Sequence, residues 1–121
     1  MNASRLLLMV AIGTLLAIPS AQTAVLFQSG SIGVLETFDT VSGATALIGS
    51  SPVGTMDGLA FSPNGTLYGI HSSPMPSSDQ GSLYTINIRT GEANLVGHTG
   101  LLAQGMTFGL DGTLYTMAGG N

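Results

Sequence analysis

Cysteine is absent from the 121 residues, which excludes disulfides, thiolate metal sites and thiol nucleophiles and leaves stability to packing and strand pairing. Lysine is absent as well, so Arg5 and Arg89 are the two cations. Charged residues make up 7% of the chain, against about a quarter in ordinary soluble domains, and Ser, Thr, Asn and Gly must solvate the surface instead. The carboxylates Glu36, Asp39, Asp57, Asp79, Glu92 and Asp111 are scattered and give a net charge of −4. Without a basic run there is no nucleic-acid footprint. Catalytic signatures are missing too: no serine stands in a Gly-x-Ser-x-Gly elbow, no phosphate-cradling glycine loop opens a helix, and neither close metal-ligand spacing nor a paired carboxylate motif occurs. On this reading the chain has no catalytic residue, metal site or cofactor of its own.

The first 24 residues read as an export signal. Met1 to Arg5 is a short positive start, Leu6 to Ile18 an apolar run, and Pro19-Ser20-Ala21-Gln22-Thr23-Ala24 a small-residue exit. The run is shorter than the ~20 apolar residues of a bilayer crossing, and Pro19 stops a helix, so a stable membrane span is not expected. Cleavage after Ala21 or Ala24 leaves Arg89 as the sole fixed cation and a charge one unit more negative, −5. Such a chain has no affinity for anionic membrane surfaces. The expected location is secreted, periplasmic or cell envelope, and residues 25–121 form the domain.

That domain repeats itself. At an offset of 48, Leu35-Glu36-Thr37-Phe38-Asp39 falls on Leu83-Tyr84-Thr85-Ile86-Asn87, Gly43 on Gly91, Leu47 on Leu95 and Gly49 on Gly97. At an offset of 47, Gly58 falls on Gly105, Phe61 on Phe108, and Gly65-Thr66-Leu67-Tyr68 on Gly112-Thr113-Leu114-Tyr115. The repeats span about 35–70 and 83–117. A period of about 40–50 residues is that of a stacked unit whose faces are buried only by its neighbours.

Turn chemistry places the strands. Ser62-Pro63-Asn64-Gly65 and Leu110-Asp111-Gly112 read as tight hairpin tips, and Asp39 to Gly43 and Asn87 to Gly91 as turns in which a short polar side chain bonds its own backbone. The Asn64-Gly65-Thr66 sequon is explained by its turn. With the strands of one unit lettered A to D, one full set is expected: A near Gly58–Ser62, B at Thr66–His71, C at Ser82–Ile88 and D at Ala93–His98. An earlier B, C and D are expected at Val25–Gln28, Leu35–Asp39 and Ala44–Ile48, and a later A and B at Gly105–Leu110 and Thr113–Ala118. Apolar residues occupy both parities, as in Leu67, Tyr68 and Ile70, so both sheet faces must be covered. Glycine and β-branched residues interrupt every helix-period window after the signal.

The run Gly58-Leu59-Ala60-Phe61-Ser62-Pro63-Asn64-Gly65-Thr66-Leu67-Tyr68, followed by Leu83-Tyr84-Thr85-Ile86-Asn87 and Thr90-Gly91, resembles the repeat of secreted bacterial β-propellers of the NHL, YVTN and gluconolactonase-like groups. The resemblance implies an all-β fold of about two four-stranded antiparallel blades, an incomplete propeller, because closure takes about four to eight blades. Two accounts of the shortfall stand side by side. In one the chain is a fragment of a longer reading frame. In the other, terminal A and B strands of one protomer join the N-terminal C and D strands of the next in a head-to-tail homo-oligomer.

In such a blade the D-to-A and B-to-C connections emerge on one face, where ligand sites usually lie. Asp57, His71, Asp79 and His98 are thereby the candidate binding residues. His71 has a glycine at its repeat position, so no ligand position recurs. Met56, Met75 and Met106 with Tyr68, Tyr84 and Tyr115 could form an adaptable binding surface, but repeated Tyr at matched positions reads as core between units. The expected function is an exported, non-catalytic repeat module or fragment that binds a glycan, peptide or protein through loops of one face. The alternative is a fragment of a lactonase- or lyase-type propeller enzyme whose catalytic residues lie mostly in missing blades. Expression with residues 1–24 in a bacterial host tests the export reading: intact-mass analysis should find a product outside the cytoplasm beginning at Gln22 or Val25, and an uncleaved cytoplasmic product contradicts it.

Overall fold

The computed structural model describes residues 25–29, 33–72 and 81–119. The expected leader, residues 1–24, and the side chains of Met75 and Asp79 lie outside them. The described elements are strands: β1 (Val25–Ser29), β2 (Val34–Asp39), β3 (Thr45–Ser50), β4 (Gly58–Phe61), β5 (Leu67–His71), β6 (Ser82–Ile86), β7 (Ala93–His98), β8 (Ala103–Phe108) and β9 (Leu114–Ala118). The protein is all-β. Its strands form three antiparallel sheets, β1-β2-β3, β4-β5-β6-β7 and β8-β9.

Each hairpin follows from its turn. In the β2–β3 turn the Gly43 amide donates to the Asp39 carbonyl at 2.8 Å, and in the β6–β7 turn the Gly91 amide donates to the Asn87 carbonyl at 2.8 Å. Both glycines sit at positive φ, +74° and +76°, which a side chain would strain. The Asp39 carboxylate accepts from the Val41 and Ser42 amides at 2.8 and 3.0 Å, and the Asn87 amide oxygen accepts from Arg89 at 2.9 Å. This is why β6 ends at Ile86 and not at the expected Ile88: Asn87 already belongs to the turn. Both hairpins also slip register at aligned places, between Leu35 and Glu36 and between Leu83 and Tyr84. The β4–β5 and β8–β9 tips match likewise, with Gly65 donating to Ser62 at 2.9 Å and Gly112 to Gly109 at 3.0 Å.

The middle sheet is covered on both faces. Leu67 (2% exposed) and Ile70 (1%) are three residues apart on β5 and therefore point to opposite sides, yet both are buried. On the Leu67 side, Leu67, Ile86 and Met56 pack with Leu35 of the first sheet, and Met56 lies over Gly69, where a side chain would collide with it. Phe27 meets Phe61 edge-on there, centroids 5.4 Å apart. On the Ile70 side the third sheet closes in, and Tyr68 meets Phe108 at 5.2 Å. Backbones touch at two glycines. A methyl on Gly58 would stand 3.1 Å from the Gly105 Cα, and one on Gly49 would collide with the Thr90 carbonyl of the neighbouring sheet. Tyr84 packs against the core cluster as expected, Met56 is a buried member of it, and Tyr115 is 56% exposed.

Gly49 and Gly97 occupy aligned positions, but nothing lies within 4 Å of a Cβ on Gly97. Gly49→Ala should therefore cost about 1–3 kcal/mol of overpacking, while Gly97→Ala should change stability by less than about 0.5 kcal/mol. Leu67→Ala should cost about 2–5 kcal/mol. Urea denaturation of the three variants checks the ordering.

Candidate functional site

The polar side chains singled out in the sequence gather at the end of the middle sheet where β5 and β7 finish and β6 begins. Strand register puts them in one row: His71 of β5 opposite Ser82 of β6, and Ser82 opposite His98 of β7. The two imidazoles are thus two strand spacings apart, about 10 Å at the backbone. Asp57 joins from just before β4, its amide donating to the Ile70 carbonyl at 2.8 Å. The structure brings Asp57, His71 and His98 to this one edge. Asp79 lies outside the described residues.

Each of the three has a local partner. The Asp57 carboxylate accepts from the Ser72 amide at 2.6 Å, which ties the strand leaving β5 to the one entering β4. The Ser72 hydroxyl donates to the Ala103 carbonyl of the third sheet, also at 2.6 Å. His71 Nδ1 lies 2.7 Å from the Thr55 carbonyl. A carbonyl only accepts, so Nδ1 is the donor of this bond. His98 Nδ1 lies 2.9 Å from the Ser82 hydroxyl. Ser82 is fully buried, so no substrate reaches that oxygen and the pair is no nucleophile with its base. Thr99 fastens the next connection, its amide and hydroxyl both donating to the Gly81 carbonyl, at 2.9 and 2.8 Å.

Among the described residues no group of three His, Asp or Glu side chains is placed to hold a metal ion. The edge is instead a rim of polar connections held by backbone carbonyls, with the two imidazoles on either side of Ser82. Sequence reasoning did not single out Ser72, Ser82 or Thr99, although they lock the connections. The available signal was the antiparallel register, which sets Ser82 opposite both histidines once β5, β6 and β7 are aligned.

The shifted carboxylates lie elsewhere, at hairpin tips. The backbone amides of Ser42 and Val41 hold the Asp39 carboxyl below its ordinary value, and the amide and hydroxyl of Thr113 do the same for Asp111. These are turn bonds to the charged form. Compared with known protein families and with curated proteins, the chain matches none. No described helix is long and apolar enough to cross a membrane.

The Asp39 bonds carry a pH dependence of known sign. A folded pKa below the ordinary 3.8 means that they stabilise the fold above that value and that the contribution is lost as pH falls through the lower, folded-state pKa. Asp39→Asn keeps the acceptor, as Asn87 does in the sister turn, but does not titrate. Its melting temperature should fall less steeply than wild type in acid scans, and parallel curves would contradict the turn assignment.

Proposed function

We propose that the chain is an exported, non-catalytic module of stacked propeller-like blades that binds a glycan, peptide or protein through the edge carrying Asp57, His71 and His98. The observation that carries the reading is the recurrence of one contact between successive sheets. Phe27 lies opposite Thr37 and meets Phe61 of the next sheet; Tyr68 lies opposite Thr85, the residue aligned with Thr37, and meets Phe108, the residue aligned with Phe61. The same step thus leads from the first sheet to the second and from the second to the third, as blades succeed one another around an axis. The close approach of β4 to β8 at Gly58 and Gly105 fits inner strands crowding toward such an axis. The rim supports binding rather than catalysis: its hydroxyls and carboxylate are engaged in holding connections, and its imidazoles stand apart.

An array of peptidoglycan fragments, oligosaccharides and unstructured peptides tests the reading, with the His71→Gln/His98→Gln double variant beside the wild type and lactone hydrolysis assayed in parallel. The expected result is retention on one of these classes, lost in the variant without a change in melting temperature, and no lactone turnover. Turnover by the chain, retention on no class, or retention unaffected by the substitutions overturns it.

A further inference from the structure

A second group of polar side chains lies at the other end of β5, away from His71 and His98. The β4–β5 and β8–β9 hairpin tips stand beside each other there and enclose a cleft of about 310 Å³ lined by Ser62, Asn64, Tyr68, Phe108, Leu110 and Asp111 with their neighbours. Its walls come from the middle and third sheets where the two pack together, and from neither β9 nor the first sheet. Tyr68 and Phe108 are half-buried, with ring centroids 5.2 Å apart and planes tilted by 52°, and supply apolar surface. Asn64 and Asp111 are exposed and supply a polar rim.

Asn64 and Asp111 are aligned in the repeat and make the same turn bond. The Thr66 amide donates to Asn64 Oδ1 at 3.1 Å, and the Thr113 amide donates to Asp111 Oδ1 at 3.0 Å. A backbone amide must donate, so the Asn64 atom that it meets is oxygen and the NH2 group stays outside the turn. Asp111 Oδ2 accepts from the Thr113 hydroxyl at 2.9 Å, and a carboxylate so engaged still has lone pairs to offer. The Tyr68 hydroxyl bonds no described residue. One tip therefore presents donors, the other an acceptor, and aromatic surface lies between them.

That combination selects its ligand. The turn amide holds the Asp111 carboxyl below its ordinary value, and no cation lines the cleft, so an anion is repelled. An organic cation would use the carboxylate and the rings but would meet the Asn64 donors with like charge. A hydroxyl both donates and accepts, and a sugar ring carries hydroxyls around its edge and C–H groups on its face, which suit an electron-rich aromatic face. The volume is at the lower end of the roughly 300–1,000 Å³ of ligand pockets, room for one ring and not for an extended chain.

We propose that the cleft between the two hairpin tips is a binding site for one neutral pyranose ring, its C–H face on Tyr68 and Phe108 and its hydroxyls shared between Asn64 and Asp111. The site goes beyond the ligand assigned to the polar edge and does not depend on it.

Amide NMR of the isotope-labelled chain tests it, with the methyl glycosides of glucose, galactose, mannose and N-acetylglucosamine as probes and tetramethylammonium as the competing cation. At least one glycoside should shift the Gly65 and Gly112 amides of the two tips. Asn64→Asp copies the sister tip, so the turn survives while the donors give way to a second carboxylate. Glycoside affinity should fall about tenfold, the worth of one hydrogen bond, and tetramethylammonium affinity should rise. Tyr68→Phe should also weaken the glycoside with a normal melt, since Phe27 fills the matching place against Phe61. His71→Gln/His98→Gln should leave binding unchanged. The proposal is overturned if no glycoside moves the two amides, if tetramethylammonium alone does so, or if glycoside binding survives both Asn64→Asp and Tyr68→Phe. Loss of glycoside binding in the histidine variant also overturns it, by moving the ligand to the other edge.

Discussion

A sheet with two apolar faces cannot bury itself, and the middle sheet of this protein is such a sheet. Leu67 and Ile70 sit on opposite sides of the same strand and are both almost fully buried, which requires a neighbour on each side. Apolar area removed from water is the main favourable term in folding, and here it is earned between sheets. The first sheet supplies Leu35 and Phe27, and the third supplies Phe108. With no cysteine and few charges, neither disulfides nor ion-pair networks share the task.

The spacing between sheets is set by what is absent from three positions. Gly49, Gly58 and Gly69 each stand where a side chain would strike the neighbouring layer or a residue packed over it. Small residues there let backbones approach and let larger ones, Met56 above Gly69, fill the remaining space. The polar edge depends on pairing as well as on this layering. Antiparallel pairing within the middle sheet brings the ends of β5 and β7 and the start of β4 together, and stacking lets Ser72 reach from Asp57 to the Ala103 carbonyl of the next sheet.

Most of the strand plan was legible in the sequence, because glycine, asparagine and aspartate mark the turns. Asp39 with Gly43 and Asn87 with Gly91 set two hairpins, and the alternation of Leu67, Tyr68 and Ile70 announced a sheet covered twice. Boundaries were less legible: the third sheet begins at Ala103, two residues before the expected start, because a register slip between Ala103 and Met106 lets the strand extend backwards. The edge location of Asp57, His71 and His98 was legible from strand order alone. Their partners were not, since Thr55, Ser72 and Ser82 are ordinary loop and strand residues until register brings them within bonding distance. Tyr115 shows the opposite failure: its repeat position matches a core residue, but what lies across from it decides whether it is buried.

The account stands on protection of the middle sheet by both neighbours. Native-state hydrogen exchange measures that directly, residue by residue. The amides of Leu67–Ile70 and Leu83–Ile86 should be the slowest in the molecule and should open only with global unfolding, with β3 and β9 exchanging through smaller openings. Fast exchange in β5, or equal protection of the first sheet after the middle one has opened, would contradict it.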